Sequence, residues 1–506
     1  MSSGAKLRED RGAVLMLMAG ALVFLMGAAA FGVDLGWLYL NNTRIQKAAD
    51  AAALASVVHV PGDYDEAESV LLDIADRNGW TDGVNASVTW TSPVAGNDRR
   101  IRVDVTGVVD TFFLRVFGMN NVSIHQDATA EYVLPLPMGS PQAEFGTGTL
   151  GSQGFWGAIQ APYTKRQHGD PYATRCNESF DDESCSSFNA QYRPTGYYYA
   201  VEVPAGVTDL RVRVYDAGFY NGSLMSGTGD FRWPRGRQCP GCERGGTGDA
   251  GPPPTGDYKT GATTKYTFHL ADSTPLDHTD NPVASAGTCG GGAWTTGQWT
   301  LSPEYVTGGG ATSENRWRTI CRINGAVPPG IYPLQIQTIG TGHASSHFGI
   351  KALSSSAAKP RVYGIGDMSI FVNVSSGSAE FFLAEVAEVH AGKELILDFF
   401  DPGDASGNNF ITILAPSGSS PACHLTVAND GISRNLDPCV INATRPSFNY
   451  NGDWLSVAIT LPPDYSCGSN CWWKVRYNYS SGSVTDRTTW TARIVGDPVR
   501  LVLGGS

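Results

Sequence analysis

The chain has 506 residues, with 60 glycines, 29 prolines and only 17% charged residues. At roughly one domain per 100 to 200 residues this makes about three domains, built from short strands and turns rather than long solvated helices. With 36 basic against 48 acidic side chains the formal charge is -12, which repels phosphate backbones and excludes DNA and RNA as natural partners.

From Ala13 to Val33 run 21 uncharged, mostly apolar residues, enough at helical rise to cross a hydrocarbon core of about 30 Å. Lys6, Arg8 and Arg11 precede the run. Acidic residues count little in the positive-inside rule, so Glu9 and Asp10 leave the amino terminus in the cytoplasm. The small residues Gly27 to Ala30 resemble a signal-peptidase site, but the run is long for a cleaved signal and its helical pattern continues, which favours a retained anchor. With no proline before Pro61, one helix is expected from Gly12 to about Val58. Ala28, Gly32 and Gly36 share a face on which small side chains would let a partner helix approach closely. Asp34, at the outer edge of the span, is expected at the membrane interface, because a carboxylate deeper in lipid is costly.

Within this stretch, Arg11-Gly12, Val33-Asp34 and the run Gln46-Lys47-Ala48-Ala49-Asp50-Ala51-Ala52-Ala53-Leu54-Ala55 resemble the amino-terminal region of TadG-like proteins of the bacterial Flp, or tight-adherence, pilus system. Arg77-Asn78-Gly79, Ile101 to Val105, Thr111 to Gly118 and Ala128 to Ala130 continue the likeness, which covers residues 11 to 134. The resemblance implies a single-pass protein of the bacterial cytoplasmic membrane with its bulk outside, partnered through its first helix by other pilus or envelope proteins or by copies of itself. Pilins that polymerise carry a glutamate five residues into the apolar segment. Ala13-Val14-Leu15-Met16-Leu17 has no acid, which favours an uncut anchor over a major subunit.

Periodicity predicts a helix over 66–77 and strands over 86–91, 100–108 and 122–132, a small α+β unit on the long helix. Leu134 to Pro141, with three prolines, reads as a stiff connector. Beyond it, apolar residues alternate in 197–203, 210–215, 331–337, 395–400, 454–460 and 472–477, as β-sandwich strands require. Tyr198 to Asp216 parallels Phe381 to Asp401: an aromatic-led strand, an Ala-Gly turn, then a strand ending in aspartate. The expected fold is therefore α+β: residues 1–60 as cytoplasmic tip, membrane helix and extension, 61–134 as the small unit, and two tandem sandwiches at 143–357 and 361–503. Leu353 to Lys359 would link the sandwiches, and a Gly/Pro-rich insertion lies at about 235–263.

All ten cysteines lie downstream: Cys176, Cys185, Cys239, Cys242, Cys289, Cys321, Cys423, Cys439, Cys467 and Cys471. An even number confined to this region reads as disulfides in an oxidising compartment. Neighbour pairs could close local loops, although order alone does not fix connectivity. Cys239-Pro-Gly-Cys242 also admits zinc or redox chemistry, but no second C-x-x-C accompanies it.

Chemistry has little foothold. G-x-S-x-G, the P-loop and H-E-x-x-H are absent, and His343 and His347, four apart, sit among glycines that favour a loop over a metal-binding helix. Asp398, Asp401, Asp404 and Asn408 could offer calcium a set of oxygens, although Asp, Asn and Gly populate turns for backbone reasons alone. Some TadG-like proteins carry a von Willebrand type A domain with a D-x-S-x-S motif. Asp404-Ala-Ser406-Gly-Asn408 lacks its last serine, and that site is not carried over. Trp294, Trp299, Trp472, Trp473 and Trp490 are sandwich core or a platform for sugar rings, with alternation favouring core. The leading expectation is a non-enzymatic membrane-anchored pilus component. A surface adhesin that binds glycans is the alternative, and an exported hydrolase is disfavoured for want of a nucleophile and base.

Overall fold

The computed structural model describes residues 6–60, 63–95, 97, 99–146, 155–177, 180–181, 184–185, 187–216, 225–226, 233–234, 262–272, 278–285, 287–289, 298–301, 316–340, 345–374, 377–402, 409–443, 450, 452–479, 484–495 and 499–502. They fall into two compact units. One comprises the chain up to residue 134 together with its last residues from 496, the other residues 135–495.

The first unit is organised by helix α1, Lys6–Ser56, roughly 75 Å long at 1.5 Å per residue. Its two halves meet different surroundings. From Val14 to Val33 nearly every residue is exposed, including Leu15, Met16, Phe24 and Leu25. From Asp34 onward one face is buried: Ile45, Ala48, Ala49, Ala52, Ala53 and Val57 form a core with Ala67, Leu71 and Ala75 of helix α2, Tyr64–Arg77. The alanine run lets the two helices and the sheet approach closely, because a helix face without side-chain bulk brings backbones together. Helix α2 starts where Asp63 caps it, its carboxylate accepting the amide of Glu66 at 2.9 Å.

Against these helices lie β1 (Ala86–Thr91), β2 (Arg100–Asp110) and β3 (Asn121–Tyr132), antiparallel in that order. Ile101, Val103, Val105 and Val109 alternate inward along β2. At Gly107 a Cβ would stand 2.5 Å from the Trp80 ring and 2.8 Å from the Ile45 side chain, so this glycine is needed for close approach. The sheet's fourth strand comes from the far end of the chain: Val499–Val502 pairs with β3, Val499 opposite Tyr132 and Leu501 opposite Ala130. The sequence reading ended the last sandwich at 503. Val499–Val502 instead belongs to the amino-terminal unit.

In the second unit two large antiparallel sheets enclose one core. One sheet contains, in spatial order, the run Arg316–Asn324, Asp209–Asp216, Ser345–Leu353, Trp156–Gln160, and then the run Asp367–Val374, Val484–Ile494, Glu394–Phe400, Trp454–Thr460. The other contains Ala262–Phe268, Gly330–Gly340, Tyr197–Val203 and, beyond two central strands, Gly377–Glu385, Trp472–Tyr479, Asn409–Leu414. Matched in chain order, each strand that 156–353 contributes to these two large sheets has a counterpart in 367–494, at the mirrored place in the same sheet. The parallel between Tyr198 to Asp216 and Phe381 to Asp401 is thus one part of an internal duplication.

The two copies are fused edge to edge. In one sheet Trp156–Gln160 pairs with its own counterpart, Gly157 opposite Ile370 and Trp156 opposite Phe371. In the other the copies exchange their opening strands. Arg361–Ile365, which opens the second copy, pairs with Tyr197–Val203 of the first, while Pro137–Met138 pairs with both Arg361–Ile365 and Ala384. Where two tandem sandwiches were expected, the sheets run on across the boundary and residues 135–495 share one core. The segment read as a linker is pinned: the Ser355 amide and hydroxyl donate to Asp209 at 2.9 and 2.6 Å, and Ser356 Oγ accepts the Thr208 amide at 2.8 Å.

A fragment of residues 143–357 lacks the strand that completes its sheet and bares a long edge. It is expected to aggregate or dimerise on gel filtration, whereas 135–495 elutes as a folded monomer. A monomeric 143–357 with a cooperative melt would contradict the shared-sheet reading.

Candidate functional site

The residues singled out on the first helix divide at Asp34. Arg11 and Gly12 lie on α1, where the structure describes only the backbone. Ala28, Gly32 and Gly36 are exposed, and a Cβ built on either glycine would meet nothing within 4 Å. No part of this chain covers that face among the described residues. Gln46 Nε2 donates to Asp50 Oδ1 at 2.8 Å and to the carbonyl of Asp127 on β3 at 3.0 Å, and Gln126 donates to Asn42 at 2.6 Å. These bonds fasten the second half of the helix to the sheet.

Asp34, expected at the membrane interface, is fully buried within the protein. Its Oδ1 accepts the amide of Phe112 at 2.8 Å, and its Oδ2 those of Phe113 and Leu114 at 2.8 and 2.6 Å. These amides open the single 3₁₀ turn Leu114–Phe117 between β2 and β3, where the first N–H groups have no partner within the turn. A carboxylate is suited to three converging donors, and such charge-assisted bonds exceed neutral ones in strength. Trp37 packs on Phe112, ring centroids 5.5 Å apart.

In the second unit the seam between the copies carries buried polar groups. Arg487, 1% exposed, donates through Nη1 to the His168 carbonyl at 3.2 Å and lies 2.7 Å through Nη2 from His347 Nε2. Arginine has no acceptor, so His347 Nε2 carries a lone pair and the proton of its neutral ring sits on Nδ1. The His347 ring stacks on Phe371, centroids 3.9 Å apart. Burial and then the Arg487 charge push the His347 pKa well below the usual histidine value. At Gly169, φ +83°, a Cβ would strike the Arg487 carbonyl at 2.1 Å, so the 166–170 turn closes on the second copy only with glycine there. Asp170, fully buried, accepts Tyr197 Oη at 2.7 Å and the amides of Gln160 and Ala173 at 2.9 Å each. Burial pushes its carboxyl pKa up. These groups are withdrawn from solvent, and the Arg487 contacts with His168 and His347 join the two copies.

His347 lies on a strand, Ser345–Leu353, and not on a metal-binding helix, while His343 falls outside the described residues. Asp404 and Asn408 fall outside them as well. Of the two remaining calcium candidates, Asp398 Oδ2 meets Arg493 at 3.7 Å and Thr491 Oγ1 at 3.5 Å, and Asp401 Oδ1 accepts the Gly452 amide. Asp104, His125 and Asp127 cluster on the exposed face of β2 and β3. Arg102 already lies 3.1 Å from Asp104 and 3.5 Å from Asp127, occupying the place of a cation.

Trp472, Trp473 and Trp490 are core residues, with Trp490 stacked on Phe399 at 4.4 Å. Trp294 and the Trp299 side chain fall outside the described residues. Disulfides join Cys176 to Cys185, Cys289 to Cys321, Cys423 to Cys439 and Cys467 to Cys471. Cys239, Cys242 and the insertion from 235 to 261 are outside the described residues. A cleft of about 860 Å³ opens at the distal end of the second copy, lined by Glu394, His424, Asp437, Asp464 and Tyr465 beside the Cys423–Cys439 bridge.

A helix whose first half is apolar and exposed enters a small unit without cysteines, and a disulfide-bearing β-sandwich unit follows in the chain. Residues 12–59 match the Tad family model, Flp pilus-assembly TadE/G-like. No curated protein and no solved structure matches the chain. The match ends with the 3₁₀ turn Val57–His59 that follows α1, so it covers both the exposed apolar half of the helix and the half that builds the first core. The sequence reading missed the partners of Asp34 and the role of Arg487. The signal for the former was an aspartate closing an apolar run, together with a turn, Phe112-Phe-Leu-Arg-Val-Phe117, too apolar for water.

The pH response of the seam follows from His347. Its pKa is lower folded than unfolded, so the unfolded chain binds the extra proton and stability falls as pH drops below about 6.5, by about 1.4 kcal/mol per pH unit. Asp367 and Asp453, both raised to about 6, act oppositely: stability they withhold above pH 6 returns as pH falls from 6 toward 3.8. Comparison with His347→Gln isolates the histidine. From pH 7 to 5 the wild-type melting temperature should fall relative to that variant, and parallel curves would show that His347 is not held neutral.

Proposed function

We propose that the chain is a non-enzymatic structural or accessory component of a Tad/Flp-type pilus or related surface assembly. Its α1 crosses the bacterial cytoplasmic membrane once, with the amino terminus inside and residues 135–495 held on the outer side. The observation that carries this reading is the changeover along α1. Residues 14–33 offer lipid an unbroken apolar surface, about 30 Å at helical rise. The same helix becomes the core of a folded unit at Asp34, within the stretch that matches the Tad family. Lys6, Arg8 and Arg11 before the run support this orientation, and the four disulfides among the described residues of the second unit suit an oxidising compartment. The uncovered face of Ala28, Gly32 and Gly36 is where a partner helix or a second copy would pack. For a glycan-binding adhesin, Trp472, Trp473 and Trp490 provide no platform, since all three are buried.

Protease added to spheroplasts carrying the full chain, tagged at its amino terminus, tests the topology. The expected outcome is loss of the region beyond residue 60 with the tag protected inside the cell. A destroyed tag with an intact tail, or a chain that fractionates as soluble, would overturn the proposal.

A further inference from the structure

Among the described residues outside the α1 run, the turn that Asp34 holds carries a dense cluster of exposed apolar side chains. Phe112 and Phe113 are 47% and 46% exposed, Val116 and Phe117 80% and 79%, and Met119 49%. Five large apolar side chains within eight residues are an unusual surface for a turn in water. Their place along the helix is fixed. Because Asp34 accepts the amides of residues 112 to 114, the turn lies level with the first residue past the uncharged run, beside the exposed Phe31, Val33 and Leu35. The apolar surface of α1 therefore continues onto the turn.

Backbone bonding points the same way. The amides of Phe112, Phe113 and Leu114 are taken by Asp34, Val116 donates to the Phe113 carbonyl, Gly118 to Arg115 and Met119 to Leu114. Thr111 donates its amide to Asn120 and its hydroxyl to Met119. A loop in water can leave such donors to solvent, whereas backbone that enters the apolar boundary of a bilayer has to satisfy them internally. Trp37 and Arg115 flank the cluster, an aromatic ring and a cation of the kind that settle at headgroup level.

We propose that residues 111–119 are a second membrane contact, in which Phe112, Phe113, Val116, Phe117 and Met119 sit in the boundary between headgroups and acyl chains of the leaflet from which α1 emerges. The occupant of this surface is lipid. Asp34 then serves as a positioning residue that sets the depth of the turn, and the first unit rests on the membrane at two points instead of swinging on one helix. This inference rests on the membrane-spanning reading of α1.

Photo-crosslinking in the full chain in its native membrane tests it. The probe p-benzoylphenylalanine is placed singly at Phe117, at Leu22 within the apolar run, and at Val58, in the 3₁₀ turn that follows α1 and roughly 35 Å beyond Asp34 at helical rise, and adducts are identified by mass. Lipid adducts are expected at 22 and 117, with a loss of about tenfold or more at 58, as for a shallow interfacial contact. Lipid at 22 with a protein adduct, or no adduct, at 117 would overturn this inference while leaving the anchor intact, as would equal lipid labelling at 117 and 58. Absence of lipid at 22 would remove the spanning reading itself, and this inference with it.

Discussion

One helix has two kinds of surroundings. Helix α1 is continuous from Lys6 to Ser56, yet from Val14 to Val33 nearly every residue is left exposed by the described residues, while its second half is the spine of a core. The two demands cannot overlap along the helix, because a ring of apolar side chains suits lipid and a single alanine-rich face suits close packing. Asp34 stands at the change. A carboxylate there could have been left to water. It is buried instead by three amides from a turn some eighty residues downstream, so the point where the surroundings change is also the point where the sheet is locked to the helix.

In the unit of residues 135–495, duplication replaces separate domains. The two copies share both sheets and exchange their opening strands, so neither copy owns a complete edge. Fusion removes two edges that would otherwise template association. It also places charged groups at the junction. Arg487 of one copy donates to the His168 carbonyl of the other and lies against its His347, and a buried guanidinium without those partners would be strongly destabilising.

What the sequence revealed and concealed follows one physical line. Local signals were legible: the apolar run, the alternation in Ile101 to Val105, the helix after Asp63, and the aromatic-led repeat at Tyr198 and Phe381. Each rests on periodicity within about ten residues, and each is present in the structure. Long-range pairing was not legible. Nothing local to Asp34 names the amides at 112 to 114, and nothing in Val499–Val502 distinguishes a last sandwich strand from a partner of β3. The exchange of Pro137–Met138 and Arg361–Ile365 is likewise a fact of tertiary pairing, since either strand, read alone, fits its own copy equally well. The His347 environment depends on Arg487, 140 residues away, so the spacing to His343 carried no information about it.

Amide hydrogen exchange at Phe112, Phe113 and Leu114 in the full chain measures the central claim most directly, because those three protons are the ones the Asp34 carboxylate holds. Slow exchange is expected in the native chain. In Asp34→Ala it should rise toward the rate of an open loop while Val103 and Val105 on β2 stay protected. Fast exchange in the native chain, or protection unchanged by the substitution, would show that the helix and the turn are not tied at Asp34.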